Sequence, residues 1–315
     1  MRRSAVDWAD AVVLSGGGIL YDRAPKNVEN YMRYVDYAVS RGKRAAVLGA
    51  GVQGIVTEDG RRRYRESLSR RAFVSVRTAD DKRALAASFE RAGATLDIAF
   101  FARAMLAELD VAPGPLRRRR HARARTAMLD SDRPKIGIAV SDLRTLKGRR
   151  YGGNFADFDQ SIDDFVAAAR ERFDVYLLQH ARSDARRLRA LARTHGATLI
   201  RYLDIADMDL YRELLVRLDL MIRVRLHAIV LGMTMGIPTI GIGTAGAKQH
   251  RLARYEMPTL ARQFYSFSMI ERLRGALERI AATGKVTEQA LGEAERKRIT
   301  RLNNENLELI RSLWA

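Results

Sequence analysis

Apolar residues along this chain follow two rhythms that take turns. Short apolar runs at 11–14, 45–48, 73–76 and 96–99 have the length and composition of buried strands. Between them apolar residues return every third or fourth position. Val28, Tyr31, Val35 and Ala38 keep this helical spacing until Gly42, and 80–91 keeps it until Gly93, so each glycine is expected to close a helix with a left-handed cap. A second series starts at Lys135, with strands expected at 136–140, 175–178, 198–202, 220–224 and 239–242 and helices at 161–172, 184–194, 208–218 and 226–235. Such alternation predicts parallel sheets covered by helices. Beyond Ile242 the pattern turns helical, and 288–313 reads as one long helix carrying Leu291, Ala294, Ile299, Leu302, Leu307, Ile310 and Leu313.

The two series are separated by Ala112-Pro113-Gly114-Pro115, an arginine-rich block at 117–125 and a polar turn ending at Pro134. Proline, glycine and like charges together mark a linker. The expected organisation is an N-terminal Rossmann-like domain at 1–112 with glycine-rich loops and a basic linker at 113–133. A C-terminal Rossmann-like domain with the Arg225-Leu226-His227 segment follows at 134–285, and analogy with other two-domain α/β proteins would have a final helix at 286–315 pack back on the first domain. The fold class is α/β with two parallel sheets, in a GT-B-like arrangement.

Composition narrows the chemistry. With 315 residues, 47% of them hydrophobic, the chain can bury two ordinary cores. The absence of cysteine excludes disulfides, thiolate zinc sites and a cysteine nucleophile. The charged first dozen positions are unlike a secretory leader, and no apolar stretch reaches the roughly 20 residues of a membrane span, so a cytoplasmic protein is expected. Fifty-six Lys and Arg against 37 Asp and Glu give a net charge of +19. That excess suits nucleic acid, an anionic membrane surface or phosphorylated substrates, or it is simply spread over solvated helix faces. No nucleic-acid module is recognisable, so no specific nucleic-acid partner is expected.

Open parallel sheets bind ligands beyond the carboxyl ends of their strands, which singles out four places. Ser15-Gly16-Gly17-Gly18 follows the first strand and is either a tight turn or a cradle of amides for an anion. Gly49-Ala50-Gly51-Val52-Gln53-Gly54 matches the dinucleotide fingerprint, but the next strand ends in Arg77 where an acidic residue would hold a ribose. An oxidoreductase using Arg77 on an extra phosphate is the reading this leaves open. The loop after the strand at 136–140 offers Arg144 and Lys147. After the strand at 220–224 come Arg225, Leu226 and His227 at the start of a helix, then Thr244, Gly246, Lys248 and His250 after the following strand. A guanidinium beside an imidazole at such an edge combines a fixed fork for an oxyanion with a proton carrier.

These residues resemble the polysaccharide pyruvyl transferase family. Arg225-Leu226-His227-Ala228, then Gly236-Ile237-Pro238 and then Lys248 are similar to that family's signature. The Gly16-Gly17-Gly18 loop, Gly49 to Gly54, Ser75-Val76-Arg77 with Asp80, and Leu178-Gln179 with Asp184 follow its order over residues 10 to 256. The family's first strand with its Gly-Asn-x-Gly-Asp loop has no counterpart, so the N-terminal domain reads as shortened. The resemblance implies pyruvyl transfer from phosphoenolpyruvate to a pair of sugar hydroxyls, with His227 and Arg225 catalytic. Gly16, Gly17, Gly18, Gly49, Gly51, Arg77, Arg144, Leu226 and Lys248 would bind substrate. Neither metal nor cofactor is expected. The acceptor would be a sugar or a lipid-linked oligosaccharide at the inner membrane face, in exopolysaccharide or cell-envelope synthesis, with the basic surface touching anionic lipid. A nucleotide-sugar glycosyltransferase and a catalytically degenerate scaffold are the alternatives.

Overall fold

A computed structural model of the chain describes residues 3–23, 25–69, 72–101, 131–141, 155–201, 208–224, 226–243, 259, 262–266 and 269–312. Two compact units emerge, one of Met1–Phe101 with Glu293–Ala315 and the other of Ala102–Gly292. Most of the linker expected at 113–133 lies outside the described residues.

In the first unit the chain runs through α1 (Arg3–Trp8), β1 (Ala11–Ser15), β2 (Leu20–Tyr21), α2 (Pro25–Ser40), β3 (Arg44–Ala50) and β4 (Val52–Gly54). It continues through α3 (Glu58–Ser69), β5 (Ala72–Val76), α4 (Ala79–Ala86) and β6 (Gly93–Ala94) to a 3-10 turn at Ile98–Phe101. Among the described residues the strands form a parallel sheet in the order β1-β3-β5-β6 and a small parallel pair, β2 with β4. Six consecutive residues of β3, Ala45 to Ala50, are buried, as a central parallel strand covered on both faces requires. One face packs Val12, Leu14 and Val47 against Val28, Met32 and Val35 of α2 and Tyr64 and Leu68 of α3.

The second unit contains β7 (Lys135–Ala139), α5 (Phe155–Ala169), β8 (Asp174–Leu178), α6 (Ala185–His195), β9 (Thr198–Ile200) and α7 (Met208–Leu215). Next come β10 (Leu220–Arg223), α8 (Leu226–Thr234), β11 (Thr239–Gly243), β12 (Phe264–Ser266) and α9 (Ile270–Thr283). Its sheet is parallel in the order β12-β11-β10-β7-β8-β9. The first three strands in the chain therefore spread one way from β7 and the last three spread the other way, so the order reverses between β7 and β10. Ile136, Ile138, Ile222 and Ile240 face Phe158, Phe165, Leu273 and Leu277 of α5 and α9. On the opposite face Met221, Tyr176 and Leu178 meet Tyr211, Leu214 and Leu215 of α7.

The last helix, α10 (Glu293–Arg311), returns to the first unit, where Leu309 and Ile310 pack on Ala46 and Leu48. It covers the sheet face that α2 and α3 leave open.

Three expectations need correction. The run at 96–99 is no strand: Asp97 turns the chain by accepting the Ala99 amide at 3.0 Å, and the paired strand is the short β6 before it. Gly93 opens that strand and is not a helix cap, whereas Gly42 does end α2 in the left-handed region at φ +70°. Past Ile242 the chain is not wholly helical, because Phe264–Ser266 adds β12 beside β11.

Candidate functional site

At the carboxyl ends of the first sheet, the glycine loops interlock. Gly16 and Gly17 both lie in the left-handed region, at φ +63° and +64°, and this curl aims the Gly16 amide at the Leu48 carbonyl, 3.1 Å away. The Gly51 amide donates to the Gly17 carbonyl at 2.7 Å, tying the loop after β1 to the loop after β3. The amides of Gly17 and Gly18 carry no hydrogen bond among the described residues, so they are donors an anion can take. Gly18 lies against Gln53, where a Cβ would come within 1.6 Å of Nε2.

Arg77 sits beneath Gly51, where a Cβ would fall 1.8 Å from its Nη2. The side chain is 3% exposed and its guanidinium pairs with Asp81 and Asp97, each at 3.4 Å. Asp81 in turn accepts the Val52 amide at 2.8 Å and the Thr78 hydroxyl at 2.9 Å, and Thr78 caps α4 through the Asp81 amide. The guanidinium thus holds the floor of the loop through two carboxylates. Asp22 fixes the far side, accepting the amides of Val56 and Thr57 at 2.8 and 2.7 Å and the Thr57 hydroxyl at 2.6 Å. Burial pushes its carboxyl up, but those donors outweigh burial and hold its pKa below the ordinary value.

At the second sheet, β10 ends at Arg223 and α8 begins at Leu226, beside the place where strand order reverses. Ligand crevices in open α/β sheets form at such reversals. His227 is the second residue of α8, and the backbone alone is described for it and for Leu226. Arg225, Arg144 and Lys248 lie outside the described residues, as does the rest of the 244–250 loop. Of the residues singled out in the sequence, the structure thus gathers Gly16, Gly17, Gly18, Gly49, Gly51 and Arg77 at one sheet edge, and sets His227 at the edge of the other sheet.

Sequence reasoning missed a polar cluster at this second edge. Arg223 points to the same face as Met221 and is 0% exposed. It donates from Nη1 to the Tyr211 hydroxyl at 3.0 Å, and its Nη2 lies 2.9 Å from the Met221 sulfur. His180, just past β8, has its Nε2 2.6 Å from the Tyr211 hydroxyl and 3.4 Å from Arg223 Nη1. Burial pulls the Arg223 pKa down, with Tyr211 opposing, and burial raises that of Tyr211 against the pull of Arg223. The available signal was a single arginine inside the otherwise apolar run Leu220-Met221-Ile222-Arg223-Val224.

Among the described residues no group of three His, Asp or Glu is placed to hold a metal ion. No described helix is long and apolar enough to cross a membrane.

The fold is similar to that of a UDP-GlcNAc 2-epimerase from Neisseria meningitidis bound to UDP-GlcNAc. Identity is 13%, the match covers 97% of this chain and 78% of that one, and the TM-score is 0.50. A Listeria monocytogenes protein described as a UDP-N-acetylglucosamine 2-epimerase matches equally, at 13% identity, 96% and 76% coverage and a TM-score of 0.50. At this identity the likeness speaks for the fold alone, which is of the GT-B type. No curated protein matches the chain in sequence. The model of the family described as polysaccharide pyruvyl transferase matches residues 1–246, the stretch that holds both glycine loops and the Arg225-Leu226-His227 segment, and the chain belongs to that family of transferases.

Proposed function

We propose that the chain moves the pyruvyl group of phosphoenolpyruvate onto two hydroxyls of a sugar, forming a cyclic ketal. The observation that carries this reading is the Arg225-Leu226-His227 segment, which falls where β10 gives way to α8 beside the reversal of strand order. A helix N-terminus there adds positive potential to whatever the side chains supply.

The chemistry asks for few parts. Protonating C3 of phosphoenolpyruvate makes C2 electrophilic, and a sugar hydroxyl attacks C2 while giving up its proton. The C2–O bond to phosphate breaks, phosphate departs, and the neighbouring hydroxyl closes the ring, its proton leaving with the phosphate. His227 is the group suited to carry the proton, and Arg225 the fork that binds the donor's phosphate or carboxylate, with Arg144 and Lys248 as further cations. In the first unit, Gly17 and Gly18 offer amides that an anionic group can take. No step calls for a metal or a cofactor. The excess of 19 positive charges suits work at the inner face of an anionic membrane, in exopolysaccharide or cell-surface glycan synthesis.

The test is to supply purified chain with phosphoenolpyruvate and glycan acceptors, following phosphate release and the mass of the product. Parallel reactions receive nucleotide-sugars, with nucleoside diphosphate followed instead. Phosphate release that depends on acceptor supports the proposal; turnover of nucleotide-sugar alone replaces it with glycosyl transfer. His227→Ala is expected to lower kcat by roughly 10²–10⁴-fold with the circular dichroism spectrum unchanged. Arg225→Lys, which keeps the charge and loses the fork, should raise the donor KM by about tenfold or more. An unaltered donor KM in that variant would remove Arg225 from the donor site.

A further inference from the structure

A guanidinium fully withdrawn from water ordinarily has a carboxylate beside it, because an isolated buried charge costs several kcal/mol. Arg223 breaks that rule. It is 0% exposed, it forms no ion pair among the described residues, and its hydrogen bonds run to a phenol, an imidazole and a thioether. Its Nε has no hydrogen-bond partner among the described residues. Arg77 and Arg187 are also buried, and each of them is paired with two aspartates.

The direction of the hydrogen bond from Arg223 is fixed by what a guanidinium can do. A guanidinium can only donate, so the Tyr211 oxygen accepts from Nη1, while the same hydroxyl shares a hydrogen bond with Nε2 of His180 whose direction follows the imidazole tautomer. Among the described residues, the positive charge of Arg223 thus stands behind Tyr211 and His180 without a carboxylate partner. All three residues gather at the carboxyl end of the sheet, Arg223 ending β10, His180 following β8, and both close to the switch point between β7 and β10.

We infer that the Arg223–Tyr211–His180 cluster is a seat for a substrate oxyanion, a phosphate or carboxylate group, whose charge completes the pairing that the protein leaves open. Arg223 is a positioning residue here: covered by its neighbours, it holds Tyr211 and supplies the charge, while the half-buried His180 is the member nearest the edge. The inference stands whichever donor the enzyme uses, since it concerns binding and not turnover.

Isothermal titration of the full chain with inorganic phosphate, and separately with pyruvate, tests it at constant ionic strength. Binding of phosphate without pyruvate assigns a phosphoryl group to the seat, and the converse assigns a carboxylate. Arg223→Met is expected to weaken that binding by about tenfold or more, the scale on which a partly desolvated charge pair contributes. Arg212→Met, on the exposed face of α7, removes the same charge elsewhere and should leave affinity within about threefold. Because Arg223→Met could also disturb folding, Arg223→Lys provides the second reading: it restores the charge without the fork and should recover most of the binding. The inference is overturned by a wild-type chain that binds neither anion, by Arg223→Met binding as tightly as wild type, or by a folded Arg223→Lys that binds no better than Arg223→Met.

Discussion

At Gly49 and Gly42 the same backbone conformation serves two purposes, and comparing them separates conformational strain from crowding. Both lie at positive φ, +56° and +70°, where a side chain costs about 1–2 kcal/mol. A Cβ on Gly42 would meet nothing within 4 Å, whereas one on Gly49 would fall 2.2 Å from the Leu96 carbonyl, a backbone atom that cannot swing aside. Gly42→Ala should therefore lower unfolding free energy by about 1–2 kcal/mol, and Gly49→Ala by roughly 3–4 kcal/mol once overpacking is added. Urea unfolding of the two variants gives the comparison, and equal losses would mean that the β3 edge yields more than its packing implies. The glycine-rich fingerprint at 49–54 was legible as a motif, but its physical cause was not. In the sequence Arg77 reads as a cation awaiting phosphate; only its distances to Asp81 and Asp97, four and twenty residues away, reveal that carboxylates already engage it. Arg223 is the reverse case, a strand residue that sequence reading does not single out and that, among the described residues, is a buried cation without a counter-charge.

Among the elements, α10 shows how a surface helix can be locked into place by one polar residue. Asn306 is 1% exposed and accepts from the hydroxyls of Ser75 and Thr95 at 2.9 and 2.7 Å, while its amide donates to the Leu96 carbonyl at 3.3 Å. Ser75 in turn accepts the Gly49 amide at 3.0 Å, so the helix is joined by hydrogen bonds to β5 and to the end of β3. Asn306→Leu keeps the branched outline of the side chain and strands three buried polar groups, so a loss of about 2–4 kcal/mol is expected, above the roughly 1 kcal/mol of a single hydrogen bond. A loss under 1 kcal/mol would show that water replaces the amide. Strands at 11–15, 44–50, 72–76, 135–139, 174–178, 220–223 and 239–243 were readable to within a residue or two, because parallel strands leave nearly uninterrupted apolar runs, even in the edge strand β1 whose burial alternates. Of the short strands only β9, Thr198–Ile200, was expected, at 198–202. β2, β4, β6 and β12 have two or three residues each, too few to carry a period, and they exist because a neighbouring strand offers partners.

For the whole molecule the dominant electrostatic quantity is the excess of 19 positive charges, and its consequence for stability has a definite sign. Two opposing effects respond to salt. Exposed pairs such as Arg62 with Asp59, Lys297 with Glu293 and Arg301 with Glu305 are weakened by screening, but each contributes at most about 1 kcal/mol and many contribute nothing. Self-repulsion among unpaired arginines is also weakened, and it acts between every such pair closer than the screening length, which shrinks from about 30 Å at 10 mM salt to about 8 Å at 150 mM. With 56 basic side chains against 37 acidic ones, repulsion is the larger sum. Raising sodium chloride from about 10 to 150 mM should therefore raise Tm by a few degrees, the shift expected when roughly 1 kcal/mol is regained in a chain of this size. Differential scanning calorimetry checks the sign directly. A falling Tm would mean that the exposed ion pairs outweigh the net charge, and the basic surface would then be a set of compensated pairs with little long-range pull on anionic substrates or membranes.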